Sequence, residues 1–120
     1  MEIKKHVVDE ILVVELTGDL DSRSAPAVQE QLLRSVPANE RVMLDLSGVS
    51  FVSSAGLRTM LLIYRQAQSV NSSVALVGLS DEIRRVLSAT GFLGFFVVAD
   101  HLGDGLAALR RPEREGSGAV

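Results

Sequence analysis

The sequence predicts an α/β fold: a single mixed β-sheet with helices packed on it, in the order ββαβαβαβα. Three observations carry that expectation. The chain has 120 residues, of which 47% are hydrophobic and 22% charged, which suits one globular domain around one core. Short runs rich in β-branched residues alternate with stretches whose apolar residues recur at helical spacing. From the third strand onward strand and helix alternate strictly, which implies parallel strands joined by right-handed crossovers. Aromatic residues make up only 4% and Trp is absent, so Val, Leu, Ile and Ala must build the core.

Each element has its own signal. "MEIKKHVV" is a candidate first strand, paired to the next through a turn at Asp9-Glu10. "ILVVELTG" (Ile11 to Gly18) is β-branched and ends in a Gly-Asp turn signal. Ala25, Val28, Leu32 and Leu33 share one helical face and predict a helix from Ser24 to Val36. Ser22 or Ser24 can cap it, Pro26 suits a first turn, and Pro37 supports the stop. "RVMLDL" (Arg41 to Leu46) reads as a central strand covered on both faces. A second helix from Gly56 places Leu57, Met60, Leu61, Tyr64 and Ala67 on one stripe. "SVALVGL" (Ser73 to Leu79) is the next buried strand. The following helix, Ser80 to Gly91, has Ser80 or Asp81 as cap and Gly91 as stop. "FFVVAD" (Phe95 to Asp100) is the last strand, and a final helix from about Leu102 to Leu109 is opened by Asp100. The domain thus spans residues 1–110, and "RPEREGSGAV" (residues 111–120) is a polar tail expected to be flexible.

Several function classes are disfavoured. The net charge of −3 argues against a nucleic-acid binder held by phosphate contacts. The absence of Cys excludes disulfides, thiolate metal sites and thiol catalysis. The N-terminus lacks the apolar core of a signal peptide, and no apolar run approaches the roughly 20 residues of a membrane-spanning helix. The expectation is a cytoplasmic protein without membrane insertion, metal or cofactor.

The informative stretch is "FVSSAGL" (Phe51 to Leu57), where Ser53 and Ser54 stand between an apolar run and a helix. Three readings are open. A serine there can cap the helix by accepting a hydrogen bond from a free backbone N–H. It can be a nucleophile, but Val52 to Gly56 keeps only the second glycine of a G-x-S-x-G elbow. Of the two histidines, His6 falls in or beside the first strand, and His101 follows the last strand with no evident acid partner or oxyanion loop. It can also be a phosphorylation switch, because unpaired N–H groups and the macrodipole favour an anion at a helix start. Open α/β sheets bind partners beyond the carboxyl ends of their strands. The Gly18–Asp21 turn and the serine pair both follow strands, so they are expected on one edge.

"LDLSGVSFVSSAGLRTML", with "LTGDLDSRSAPA" upstream, resembles the STAS domain, and most of all the stand-alone bacterial anti-sigma factor antagonists. Asp45-Leu46-Ser47, Phe51-Val52, Gly56-Leu57 and Gly18-Asp19-Leu20-Asp21 each match a segment of that family's pattern. The resemblance covers about residues 1 to 110. It implies a non-enzymatic regulator of transcription that works by partner switching. Ser54 would be phosphorylated by an anti-sigma factor that is a GHKL-type serine kinase and dephosphorylated by a PP2C-type phosphatase. Only the unphosphorylated form would bind the kinase and free a sigma factor. Asp19 and Asp21, with Ser53, Ser54, Ala55, Gly56, Leu57 and Arg58, would form the docking surface. Ser53 stands where the family usually has Asp, which makes Ser53 a possible second acceptor, and Ala55 replaces a second Ser. From the residues alone, Asp19 and Asp21 suit turn and helix-cap roles more than partner contact, and Gly56 suits tight packing of the helix on the sheet. Arg58, near the helix start, could pair with a phosphate or with partner acids. STAS domains also serve as subunits of stressosomes and lipid-transport complexes, which is the alternative role.

Overall fold

The computed structural model describes residues 1–36 and 41–109; Pro37 and the expected tail at 111–120 lie outside the described residues. The elements are β1 (Glu2–Val8), β2 (Ile11–Thr17), α1 (Ala25–Ser35), β3 (Arg41–Gly48), α2 (Ser54–Ser69), β4 (Ser73–Val77), α3 (Asp81–Thr90), a 3-10 turn (Phe92–Phe95) and β5 (Val97–Ala99). A last helix, α4, covers 102–109. The order ββαβαβαβα therefore holds. The five strands lie side by side in sequence order, β1 antiparallel to β2 and the remaining pairs parallel.

Each parallel connection carries one helix, and crossovers of the same hand moving in one direction put their helices on one face. Side-chain alternation along the strands does the rest. Leu12, Val14 and Leu16 of β2, Val42, Leu44 and Leu46 of β3, and Val74 and Leu76 of β4 point to that face. There they meet Val28 and Leu32 of α1, Met60 and Ile63 of α2, and Ile83 and Leu87 of α3. The intervening residues Ile11, Val13, Met43, Ala75 and Val77 point to the other face and meet Leu106 and Leu109 of α4. β3 is thus covered on both sides, as its apolar run predicted. Gly105 lets α4 lie close, since a Cβ there would stand 2.6 Å from a Val77 methyl and 2.9 Å from the Met43 methyl.

Three details differ from the sequence reading. The buried stripe of α2 is Gly56, Thr59, Met60, Ile63 and Ala67, so Leu57 and Tyr64 sit at its margin. β5 begins at Val97, because Phe95 closes a 3-10 turn and stacks on Tyr64 with ring centroids 5.0 Å apart. The α1 start carries no side-chain cap from Ser24.

The parallel strands β2 to β5 end on the same edge, so every helix begins there. That geometry gathers the β2–α1 loop, the β3–α2 loop and the first turn of α3.

Candidate docking edge

Two loops are stitched together at this edge by backbone hydrogen bonds. Gly18 N–H donates to Gly48 O (3.0 Å), Leu20 N–H to Phe51 O (2.9 Å), and Ser53 N–H to Leu20 O (2.9 Å). Leu20 and Val52 form a parallel bridge, and both are buried. The predicted coincidence of the Gly18–Asp21 turn and the serine pair is therefore direct. A short two-strand extension joins them beyond the sheet proper.

Asp21 organises the approach to α1. Its Oδ1 accepts from Arg23 N–H (2.9 Å) and Ser24 N–H (3.2 Å), and its own N–H donates to Ser24 Oγ at 3.0 Å. Ser24 Oγ donates in turn to Asp19 O at 2.7 Å. Ser24 therefore braces the loop, and the turn role weighed for Asp21 is the one its carboxylate fills. The Ser24 and Arg23 backbone donors hold the Asp21 carboxyl below its ordinary value of 3.8 against an opposing effect of desolvation, and the Arg23 charge and the Ser24 hydroxyl add lesser contributions. A carboxyl lowered on folding adds stability that is fully present above 3.8 and disappears as pH falls through the lowered folded value. The amide signals of Arg23 and Ser24 should consequently titrate with a midpoint below 3.8, and Asp21→Asn should remove that titration.

Asp19 is exposed, and its Oδ1 accepts from Ser50 Oγ at 3.2 Å, tying the two loops once more. Within the matched motif, Asp45 Oδ1 accepts from both the N–H (3.0 Å) and the hydroxyl (2.7 Å) of Ser47, which shapes the exit from β3.

The serine pair divides its duties. Ser53 is the N-cap of α2, half-buried, with extended backbone, and its Oγ accepts from Gly56 N–H at 3.3 Å. Ser54 is the first helical residue and is exposed; among the described residues its hydroxyl has no partner. Because Ser53 supplies a cap bond of modest geometry, Ser53→Ala should lower stability by about 1 kcal/mol. Ser53→Asp should keep or slightly raise it, since a carboxylate both caps and complements the macrodipole. Thermal melts of the two variants test the pair.

The remaining predicted residues fall into two groups. Ala55 and Leu57 are half-exposed and Arg58 is exposed. Gly56 is buried: a Cβ on it would lie 2.5 Å from Leu20 O and 2.9 Å from Leu20 Cγ. Of the two roles weighed for it, tight packing is the one this geometry fits, and it offers no surface of its own. Phe51, read only as part of a motif, is 48% exposed. It lines a shallow crevice with Ser50, Val52, Glu82, Ile83 and Val86, between the β3–α2 loop and α3. An exposed ring three residues before an exposed serine is a feature that motif matching alone does not reveal. His6 faces Glu15 at 3.6 Å across the β1–β2 pair, and His101 is exposed at the start of α4. Among the described residues no three acidic or histidine side chains converge as metal ligands, and no helix is long and apolar enough to cross a membrane.

The mixed sheet with its helix starts on one edge, and the serine pair tied to a Gly-Asp-Leu-Asp turn, carry the pattern of the STAS domains, whose anti-sigma factor antagonists are non-enzymatic regulators. The STAS domain family model matches residues 2–105, and the chain belongs to that family. Among its relatives, BtrV of Bordetella bronchiseptica is 35% identical over 101 residues, covering 83% of this chain and 87% of BtrV. The anti-sigma-B factor antagonist of Listeria monocytogenes is 32% identical over 92 residues, covering 76% of this chain and 80% of that protein. The crystal structure of an anti-sigma factor antagonist from Mycobacterium paratuberculosis superposes with a TM-score of 0.82 at 26% identity, covering 91% of this chain and 93% of that one.

Proposed function

We propose that this protein is an anti-sigma factor antagonist of the bacterial cytoplasm, switched by phosphorylation of Ser54. The observation that carries the reading is the division of the serine pair. Ser53 Oγ is engaged by Gly56 N–H, while Ser54 presents a free, exposed hydroxyl at the first position of α2. The relatives named as anti-sigma factor antagonists support the role.

In the unphosphorylated state the edge built by the Asp19–Asp21 turn and the start of α2 docks on an anti-sigma factor and displaces its sigma factor. That anti-sigma factor is a GHKL-type serine kinase. It transfers the γ-phosphoryl group of ATP to Ser54 Oγ, with release of ADP and the hydroxyl proton. A PP2C-type phosphatase hydrolyses the ester, returning serine and inorganic phosphate. Ser53 is the poorer acceptor, because its oxygen must leave the Gly56 N–H to react.

Incubation with the cognate anti-sigma factor and ATP, followed by mass spectrometry, tests this. One phosphoryl group is expected on Ser54 and none on the Ser54→Ala protein. A kinase shown to be active that leaves Ser54 unmodified would overturn the switch. A transporter ATPase recovered with the protein in place of a kinase would point to the subunit role.

Phe51 gives a second check on the surface. An exposed ring in the loop that leads into the switch is suited to insert into a partner pocket, where aromatic anchors dominate binding energy. Phe51→Ala should weaken the complex about tenfold or more, about 1.4 kcal/mol, with little change in melting temperature. Calorimetric titration against the anti-sigma factor measures it.

A further inference from the structure

The geometry points to Arg58 as the internal counter-ion of phosphorylated Ser54, so that phosphorylation both adds an anion and withdraws a cation from the docking edge. The inference rests on the switch proposed above and concerns how the phosphoryl group is held. Ser54 is the first residue of α2, and Arg58 follows it four positions later. Residues at that spacing are neighbours on a helix surface, with Cβ atoms about 5–6 Å apart. Helical side chains lean toward the N-terminus, so the Arg58 stem is directed toward the Ser54 turn. Both residues are exposed, and among the described residues Arg58 has no carboxylate partner.

The surroundings make that guanidinium matter. Asp19 and Asp21 come from the β2–α1 loop, and Asp81 and Glu82 from the first turn of α3. All four occupy the edge on which a phosphorylated Ser54 would stand. Arg23, the one cation of the β2–α1 loop, already acts on Asp21. A phosphoryl dianion at the first position of α2 would meet the free backbone N–H groups of the helix start, and Arg58 is the nearer of the two arginines of α2. Arginine matches phosphate oxygens with a planar, two-pronged set of donors. Before phosphorylation the same guanidinium is free to meet acids on a partner. Afterwards it is engaged within the chain.

The test separates this from kinase recognition by installing phosphoserine at position 54 during synthesis of the full chain, with no kinase involved. The second ionisation of the phosphoryl group, ordinarily near pH 6, is followed by phosphorus NMR. Arg58→Ala should raise that midpoint by about half a pH unit, and Arg58→Lys should restore part of the shift. Arg65→Ala, an exposed arginine farther along α2, should leave it unchanged. The three variants alter exposed side chains and are expected to fold. An Arg58→Ala midpoint equal to that of the parent, or an equal shift in Arg65→Ala, would overturn the proposal whatever the kinase does.

Discussion

Replacing Gly56 by Ala should destabilise the domain by about 3 kcal/mol, although helix propensity alone argues the other way. Gly is worse than Ala in a helix interior by about 1 kcal/mol, and by less in the first turn. Sterics reverse the sign. The added methyl would stand 2.5 Å from Leu20 O, 2.9 Å from Leu20 Cγ and 3.0 Å from a Val52 methyl. The tightest of these neighbours is backbone, and it is not free to retreat: Leu20 O also accepts the Ser53 N–H at 2.9 Å. Moving α2 outward would break that bond and disturb the bridge between Leu20 and Val52. A fall in melting temperature of about 10 °C is expected for a domain of this size. Calorimetry that found Gly56→Ala as stable as the parent would remove the close-packing role. The variant should also weaken partner binding more than its residual stability explains, because the same strain displaces Ser53 and Ser54.

Some of the fold and site was readable in the sequence, and some became visible only in three dimensions. β2 announces itself as a β-branched run and β3 and β4 as short apolar runs, and the run of β3 correctly implied cover on both faces. The α2 stripe was harder. Leu57, Leu61 and Leu62 are apolar but only partly buried, while Thr59 is polar and 2% exposed. With apolar residues on several sides of the helix, periodicity does not select one stripe, and packing against the sheet and α1 decides. The start of β5 was misread for a related reason. The pairing of Phe95 with Tyr64 spans thirty-one positions and leaves no local trace. Nor does composition reveal that Ser24 braces the Asp19–Asp21 loop rather than capping α1. The serine pair was legible as a junction, but only the geometry separates the capping oxygen of Ser53 from the exposed one of Ser54.

Ser54→Glu should leave the fold intact and weaken binding to the anti-sigma factor by about 100-fold or more, about 2.7 kcal/mol. Fold and binding respond oppositely because the new charge meets water in one case and a partner surface in the other. At the first position of α2 a carboxylate complements the macrodipole, a gain of up to about 1 kcal/mol, so the melting temperature should hold or rise slightly. In the complex the same charge must be desolvated against the partner, which costs several kcal/mol, and drawing Arg58 onto it takes that cation away from the partner. The edge already carries Asp19, Asp21, Asp81 and Glu82, so a partner that docks there benefits from a basic rim. Such a rim attracts an added charge only over a screened distance of about 8 Å, which contributes to the encounter rate more than to the final affinity. Desolvation of the charge at the exposed N1 position therefore outweighs the attraction of the rim. Ser54→Ala, which adds neither bulk nor charge, should bind as the parent does and become indifferent to ATP. If Ser54→Glu bound within a few-fold of the parent, the edge would not be the surface that the partner covers.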